Sequence, residues 1–88
     1  MTFKSRADVE RIGLSGVKVE KDEAGTRARQ LNSFWLYVDE QDSGYTKHAL
    51  ADGYWESWIT LWMDRNIKPG FRCLDVGANH GYYSFMLA

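Results

Sequence analysis

The stretch from Cys73 to Ser84 constrains this chain most, because it has the pattern of a strand, a glycine-bounded turn and the start of a helix. Its first half is apolar on both faces, which predicts a buried strand over 71–76, as in sheets covered by helices on both sides. Gly77 and Gly81 bound the turn, and a second apolar helical stripe begins at Tyr83. Units of this kind build open α/β sheets, in which a loop and a helix N-terminus approach a nucleotide-like ligand.

Local signals predict further elements in the first half of the chain. Ser5 followed by an acid three residues later matches a capping box. The predicted elements are a helix from Ser5 to about Ile12, ending near Gly13 or Gly16, an edge strand over 17–20, an exposed turn or loop over 21–29, and a strand over 34–38.

In the second half of the chain, the residues before the turn bounded by Gly77 and Gly81 are predicted to be mainly helical. Ser43 or Thr46 is a candidate cap for a short helical turn over 48–50. A longer helix is predicted from an N-cap at Asp52 to a stop at Asn66, with its apolar spacing placing Trp55, Trp58 and Trp62 on a core stripe. Residues 68–70, Lys-Pro-Gly, predict a turn.

Composition excludes several classes of protein. With 88 residues the chain allows one small domain, and its net charge of −1, from 11 basic and 12 acidic residues, lacks the basic footprint of a nucleic-acid binder. No apolar run approaches the ~20 residues of a membrane span, and the N-terminus does not resemble a secretory signal. The single cysteine, Cys73, excludes a disulfide framework and fits a cytoplasmic setting; we expect it to be a small core residue rather than a reactive thiol.

The organisation predicted from these patterns has two parts. Residues 1–45 form an accessory segment with a short helix and strands, and residues 46–88 begin an α/β core whose sheet is incomplete. The last residues end inside an apolar helical stripe, which favours a truncated core. The alternative is a complete small domain whose stripe is covered by a partner chain, as in a homo-oligomer.

Three kinds of nucleotide-binding loop are considered for the glycine pair Gly77 and Gly81. A P-loop fails because Gly77 and Gly81 are one residue too close and Tyr82 stands where the lysine belongs. A dinucleotide fingerprint fails because Asn79 and Tyr82 occupy two of its three glycine places. A loop for S-adenosylmethionine remains, since this ligand has no pyrophosphate and presents a carboxylate, an ammonium, a sulfonium and a ribose.

The motif Leu-Asp-Val-Gly-Ala-Asn-His-Gly-Tyr-Tyr-Ser over 74–84 resembles the first motif of FkbM-type class I methyltransferases. The Lys-Pro-Gly turn at 68–70 and the upstream Gly-Tyr-Trp-Glu at 53–56 also resemble that family, the latter with one extra aromatic residue. The resemblance covers about 20 residues strongly and reaches back to about Asp52; residues 1–45 carry none. It implies the start of a Rossmann-like fold, with the first core strand and flanking helices, preceded by a small α+β extension.

The resemblance also implies a function and a set of site residues. The implied reaction transfers a methyl group from S-adenosylmethionine to a hydroxyl of a small molecule or sugar. The cofactor residues it implies are Asp75, Gly77, Ala78, Asn79, Gly81 and the upstream acid Glu56. The ribose-binding acid, most substrate contacts and any base would lie beyond Ala88, so no catalytic residue is assigned and activity of these residues alone is not expected.

Simpler interpretations accompany these roles. Gly77 and Gly81 would suit any tight turn, and Asp75 could cap it. Asn79 tolerates left-handed backbone geometry, and His80 is expected to face solvent. Glu56 would suit a helix dipole in any protein.

Two further hypotheses concern a metal site and the role of Trp55. His48 has no metal-ligand spacing to His80 or Cys73, so no metal site is predicted. Trp55 is an alternative candidate for the wall of a ligand pocket.

Two other functions stay open from the sequence. One is a non-catalytic interaction domain that uses the Trp-rich helix and the apolar C-terminus. The other is a dehydrogenase with a divergent loop.

Overall fold

A computed structural model of the chain describes residues 2–42 and 44–88. It combines helices with a three-stranded antiparallel sheet, which confirms mixed α and β structure. The elements are α1 (Arg6–Ser15), β1 (Val19–Asp22), β2 (Gly25–Gln30), β3 (Phe34–Val38), α2 (Tyr45–Ala51), α3 (Ser57–Asn66) and α4 (Tyr82–Leu87). Within the described residues, no helix has the length and apolar character needed to cross a membrane.

Helix α1 begins where its capping signal lies. The Ser5 hydroxyl accepts a hydrogen bond from the backbone N–H of Asp8 at 3.2 Å, which satisfies a first-turn donor. Val9 is completely buried on the inner face. The predicted helix is confirmed, and it continues past Ile12 to its C-cap at Gly16.

The sheet has the order β1-β2-β3, so β1 is an edge strand, as predicted, but begins two residues later, at Val19. The prediction of an exposed loop over 21–29 is wrong, because Gly25–Gln30 is the central strand. Thr26, Ala28 and Gln30 alternate inward, and charged residues between them conceal this period of two. Arg27 lies over the Trp35 ring at 4.5 Å, which stabilises the outer face.

The strand over 34–38 is confirmed as β3, and the helical turn near His48 is confirmed as α2. Of the two candidate caps, Ser43 lies outside the described residues. Thr46 lies inside the helix, where its hydroxyl donates to the Asp39 carbonyl at 2.6 Å. Gly44 occupies the N-cap position without a side-chain hydrogen bond.

Helix α3 ends at Asn66 as predicted but begins later than predicted, at Ser57. Asp52 caps the end of α2 instead, since its N–H donates to the His48 carbonyl and Gly53 then takes a left-handed conformation. The small residues Ser57 and Thr60 face the core.

The prediction of a core tryptophan stripe is wrong for two of its members. Trp58 and Trp62 are 54% and 58% exposed, because α3 buries its small residues instead. Trp55 precedes the helix and is partly buried against the core, as predicted.

The buried strand predicted over 71–76 is wrong for this chain. These residues adopt no regular structure, and Leu74 and Val76 are 89% and 84% exposed. Cys73 is exposed rather than a core residue. The physical reason is pairing: a buried parallel strand needs neighbours on both edges, and the described sheet consists of β1, β2 and β3 alone. The turn before it is confirmed, since the Phe71 N–H donates to the Lys68 carbonyl at 3.1 Å.

The hydrophobic core draws on residues before and after position 45. Its buried members are Phe3, Val9, Ala28, Leu31, Leu36, Tyr45, Ala49 and Tyr82. Tyr82 comes from the motif region and packs edge-on against Phe34 of β3, with ring centroids 5.8 Å apart. The helix after the glycine loop is thereby attached to the N-terminal sheet.

A close backbone approach joins the end of α1 to the loop before α3. Gly53 has φ +73°, and a Cβ there would collide with the Gly13 carbonyl.

We expect Gly53→Ala to lower the free energy of unfolding by about 2–4 kcal/mol, from backbone strain and overpacking together. Gly25→Ala is the matched control: φ is +135 and its Cβ would meet nothing within 4 Å, so about 1–2 kcal/mol is expected. Urea denaturation measures both, and equal losses would contradict the contact.

Candidate functional site

The glycine loop, residues 77–81, borders a small open cavity against the starts of α2 and α3. Its volume is about 190 Å³. The lining residues are Tyr45, Trp55, Glu56, Asp75, Gly77, Ala78, Asn79, His80, Tyr82 and Tyr83. Five of the six predicted cofactor residues are therefore brought together, including Glu56, which is distant in sequence from the loop. The sixth, Gly81, does not line the cavity and is the N-cap of α4.

The loop backbone is held in left-handed conformations. Gly77, Asn79 and Gly81 have φ values of +66°, +55° and +85°. The left-handed geometry foreseen for Asn79 is confirmed, and the Gly81 N–H closes the turn by donating to the Ala78 carbonyl at 3.0 Å. A Cβ on Gly77 would meet no atom within 4 Å, so the space beside it is open.

Asp75 connects the segment before the loop to the helix after it. Its Oδ2 accepts a hydrogen bond from the Ser84 hydroxyl at 2.7 Å. Ser84 lies in α4, so this contact spans the loop. The hydroxyl holds the carboxylate at the cavity and, being neutral, supplies no positive charge to it.

Glu56 occupies a strained position at the N-cap of α3. Its φ of 44° and ψ of 66° are left-handed, which is uncommon for a residue with a side chain. Its Oε1 accepts a hydrogen bond from the Tyr83 hydroxyl at 2.7 Å. Burial, and then this hydrogen bond, raise the pKa of Tyr83 well above its usual value, so Tyr83 remains a neutral donor.

His80 does not face solvent, and that expectation is wrong. Its side chain is only 17% exposed, and Nε2 lies 2.8 Å from Oδ2 of Asp42. Its ring stacks on Tyr45, with centroids 4.4 Å apart and an angle of 14° between the planes. The loop packs against the start of α2 because the Tyr45 ring and the Asp42 carboxylate both contact His80.

Sequence reasoning missed three tyrosines in the cavity wall. Tyr45 is 5% exposed, and its buried hydroxyl has no hydrogen-bond partner among the described residues. Tyr82 is 3% exposed, and its hydroxyl lies 3.0 Å from the Thr60 hydroxyl. Tyr82 and Tyr83 stand inside the motif and could have been singled out. Tyr45 carried no local signal, since its role depends on contacts far along the chain.

Larger depressions also lie on the surface, and two of them share residues with the cavity: one of about 360 Å³ is lined by Trp55 and Glu56, and one of about 420 Å³ by Asp75. Another, of about 640 Å³, lies between the end of α3, the turn at 68–70 and the end of α4. None of the predicted cofactor residues lines it. The smaller cavity has the stronger chemical case, because it combines open space beside a glycine with the carboxylates of Glu56 and Asp75.

No metal site is formed within the described ranges, since no group of three or more His, Cys, Asp or Glu side chains could hold an ion there. His48 contacts Asp52 instead, with Nδ1 and Oδ2 2.9 Å apart. Comparisons with models of known protein families, with curated proteins and with solved structures find no match.

The buried tyrosines give the site a pH dependence. Burial raises the pKa of Tyr82 from 10.0 to about 12, and burial also raises the pKa of Tyr45 and Tyr83. The unfolded chain releases these protons first, so the stabilisation is fully present below pH 10 and is lost as pH rises through the folded values.

We expect the urea midpoint to fall as the pH is raised above 10. Tyr82 alone accounts for roughly 2 kcal/mol of this loss. Tyr82→Phe, measured alongside, should show a shallower decline because it lacks the titrating group. A midpoint that stays constant to pH 12 would contradict burial of these hydroxyls.

Proposed function

We propose that residues 75–81 and α4 form the first cofactor-binding motif of an S-adenosylmethionine-dependent methyltransferase of the FkbM type. The observation that carries the proposal is the cavity: Glu56 and four of the five cofactor residues implied within the motif line one space, and only the family pattern associates them. A turn that served only to reverse the chain would give no reason for the upstream acid to meet the loop.

The chemistry of the lining residues supports this ligand class. Glu56 supplies an anionic group for an ammonium, and the open space beside Gly77 lets a ligand approach the backbone closely. Asp75 sits before the loop and is oriented by Ser84. S-adenosylmethionine supplies the methyl group, and the residues of this chain bind and orient one end of it.

The proposal also assigns a role to the exposed segment over 71–76. In a Rossmann-like sheet, this segment is the first core strand and pairs with parallel neighbours. The acceptor is a hydroxyl of a small molecule or sugar. The ribose-binding acid, the base and most acceptor contacts come, in this proposal, from residues outside these 88, and the motif residues act in binding.

A second candidate function is a protein-interaction domain. The exposure of Trp58 and Trp62 on α3, together with Leu74 and Val76, favours it, since large exposed apolar side chains often mark interfaces. This function predicts a stable oligomer or complex that is indifferent to S-adenosylmethionine. Sedimentation of the chain with and without the cofactor separates the two.

Binding of S-adenosylhomocysteine, followed by amide NMR, tests the methyltransferase proposal. We expect saturable shifts centred on Gly77, Asn79 and Gly81. Gly77→Ala should weaken binding about tenfold or more, because the new methyl group fills the open space that the ligand needs.

Gly70→Ala is the matched control for that variant. Its φ of +91° also strains any side chain, and its Cβ would likewise meet nothing within 4 Å, but Gly70 lies outside the loop cavity. It should bind like the unaltered chain. Dispersed spectra that do not respond to the ligand, or a response to NADH instead, would contradict the proposal.

A further inference from the structure

A second cleft lies between α1, the end of α2 and the start of α3. Its volume is about 360 Å³, within the ~300–1,000 Å³ typical of pockets for small molecules. Arg6 and Glu10 line it from α1, and His48 and Asp52 line it from the end of α2. None of residues 77–81 lines this cleft, so the glycine motif does not account for it.

Three aromatic side chains form the apolar part of the cleft: Tyr54, Trp55 and Trp58. The Arg6 guanidinium lies over one face of the Trp58 ring, 5.0 Å from its centroid. Trp58 is nevertheless 54% exposed, so much of its surface remains open to a ligand. Tryptophan and tyrosine offer large, rigid contact areas at a low cost in conformational entropy. Such walls suit a ligand that has an apolar face.

The polar part of the cleft consists of oppositely charged groups in contact. Arg6 Nε donates to Oε2 of Glu10 at 3.0 Å and to the Ser57 hydroxyl at 2.8 Å, and this hydroxyl donates to the same Oε2 at 2.6 Å. The hydrogen bond from Ser57, and then the one from Arg6, lower the pKa of Glu10, so its carboxylate is ionised at neutral pH. Nδ1 of His48 lies 2.9 Å from Oδ2 of Asp52. Each pair therefore presents fixed donors and acceptors side by side.

The charge of the cleft narrows the class of ligand. The carboxylates of Glu10, Asp52 and Glu56 line it with only Arg6 and His48 as basic groups, which disfavours a phosphate or a carboxylate. Glu10 and Asp52 each contact a basic side chain already, which reduces the gain from an added cation. A neutral ligand that donates and accepts hydrogen bonds fits best. A pyranose sugar has this chemistry, since its C–H groups form an apolar face and its hydroxyls surround the ring edge.

We propose that this cleft binds a neutral saccharide, with Trp58 packing on an apolar face of the sugar and Arg6 and Glu10 hydrogen-bonding its hydroxyls. The saccharide site uses α1, α2 and α3 and does not depend on the proposed function. Where both proposals hold, the cleft is the acceptor site, because Trp55 and Glu56 line it and the loop cavity together.

NMR titration of the 88-residue chain with the methyl glycosides of glucose, galactose and mannose tests the saccharide site. We expect saturable shifts of the indole N–H groups of Trp55 and Trp58 with at least one of the three sugars. The expected Kd is about 1–10 mM, since a small, open site gains little beyond the entropic cost of binding. Failure of all three sugars to bind would overturn the proposal.

Two tryptophans of α3 provide a matched pair of variants. Trp58→Ala should weaken sugar binding about tenfold, because it removes the aromatic contact. Trp62→Ala removes a ring that lies one turn further along α3, is 58% exposed and does not line the cleft, so its affinity should be unchanged. Equal losses in the two variants would mean that the sugar contacts exposed tryptophan in general, and would overturn the site.

A second pair tests the hydrogen bonds and decides if Trp58→Ala fails to fold by circular dichroism. Glu10→Gln should weaken sugar binding about threefold or more, because hydrogen bonds to an ionised acceptor are roughly twice as strong as neutral ones. Glu23→Gln removes a carboxylate in the turn between β1 and β2, outside the cleft, and should bind like the unaltered chain. Equal affinities in the two variants would contradict the assigned role of Glu10.

Other ligands separate the saccharide from its alternatives and from the proposed function. Glucosamine binding more than about tenfold tighter than the neutral sugars would show a cation site, and displacement of the sugar by inorganic phosphate would show an anion site. Either result would overturn the proposal. Sugar binding in a chain that does not bind S-adenosylhomocysteine would support the saccharide site and contradict the methyltransferase proposal, and the reverse result would overturn the saccharide site alone.

Discussion

The packing of Tyr45 is the contact on which the site depends. Its ring stacks on His80 of the loop, meets Trp55 before α3 and Tyr82 of α4 edge to face, and belongs to the core beside the sheet. Burying an aromatic side chain of this kind stabilises a fold by about 1.5–3 kcal/mol, and each ring pair adds about 0.5–1.5 kcal/mol. Asp42 reinforces the contact by pairing with His80 at 2.8 Å. One side chain thus connects the N-terminal sheet with the glycine loop.

This anchoring explains how a strained loop persists. Asn79 in the loop and Glu56 before α3 have left-handed backbones, and residues with side chains keep such conformations only where the surroundings hold them. The hydrogen bonds from Ser84 to Asp75 and from Tyr83 to Glu56 attach both carboxylates to α4. Contacts within the chain therefore orient both carboxylates, and preorganisation of this kind lowers the cost of binding.

The sequence predicted those features that depend on neighbouring residues. The Ser5 cap, strand β3 and the left-handed Asn79 follow from local chemistry, and all three are confirmed. Strand β2 was missed because its arginines hide an inward row of small residues, and 71–76 was misassigned because strand pairing is a property of the whole sheet. The same distinction applies to the site. The motif indicated the loop residues, whereas the position of Tyr45 in the cavity wall depends on long-range contacts that no local pattern reveals.

The most direct test of this account is the NMR distance between the rings of Tyr45 and His80 in the unliganded chain. Strong cross-relaxation between the two rings is expected, because their centroids lie 4.4 Å apart. Asp42→Asn should weaken it by removing the paired charge. Absence of this cross-relaxation in a folded, dispersed spectrum would show a glycine loop detached from α2, and would contradict a site formed before any ligand binds.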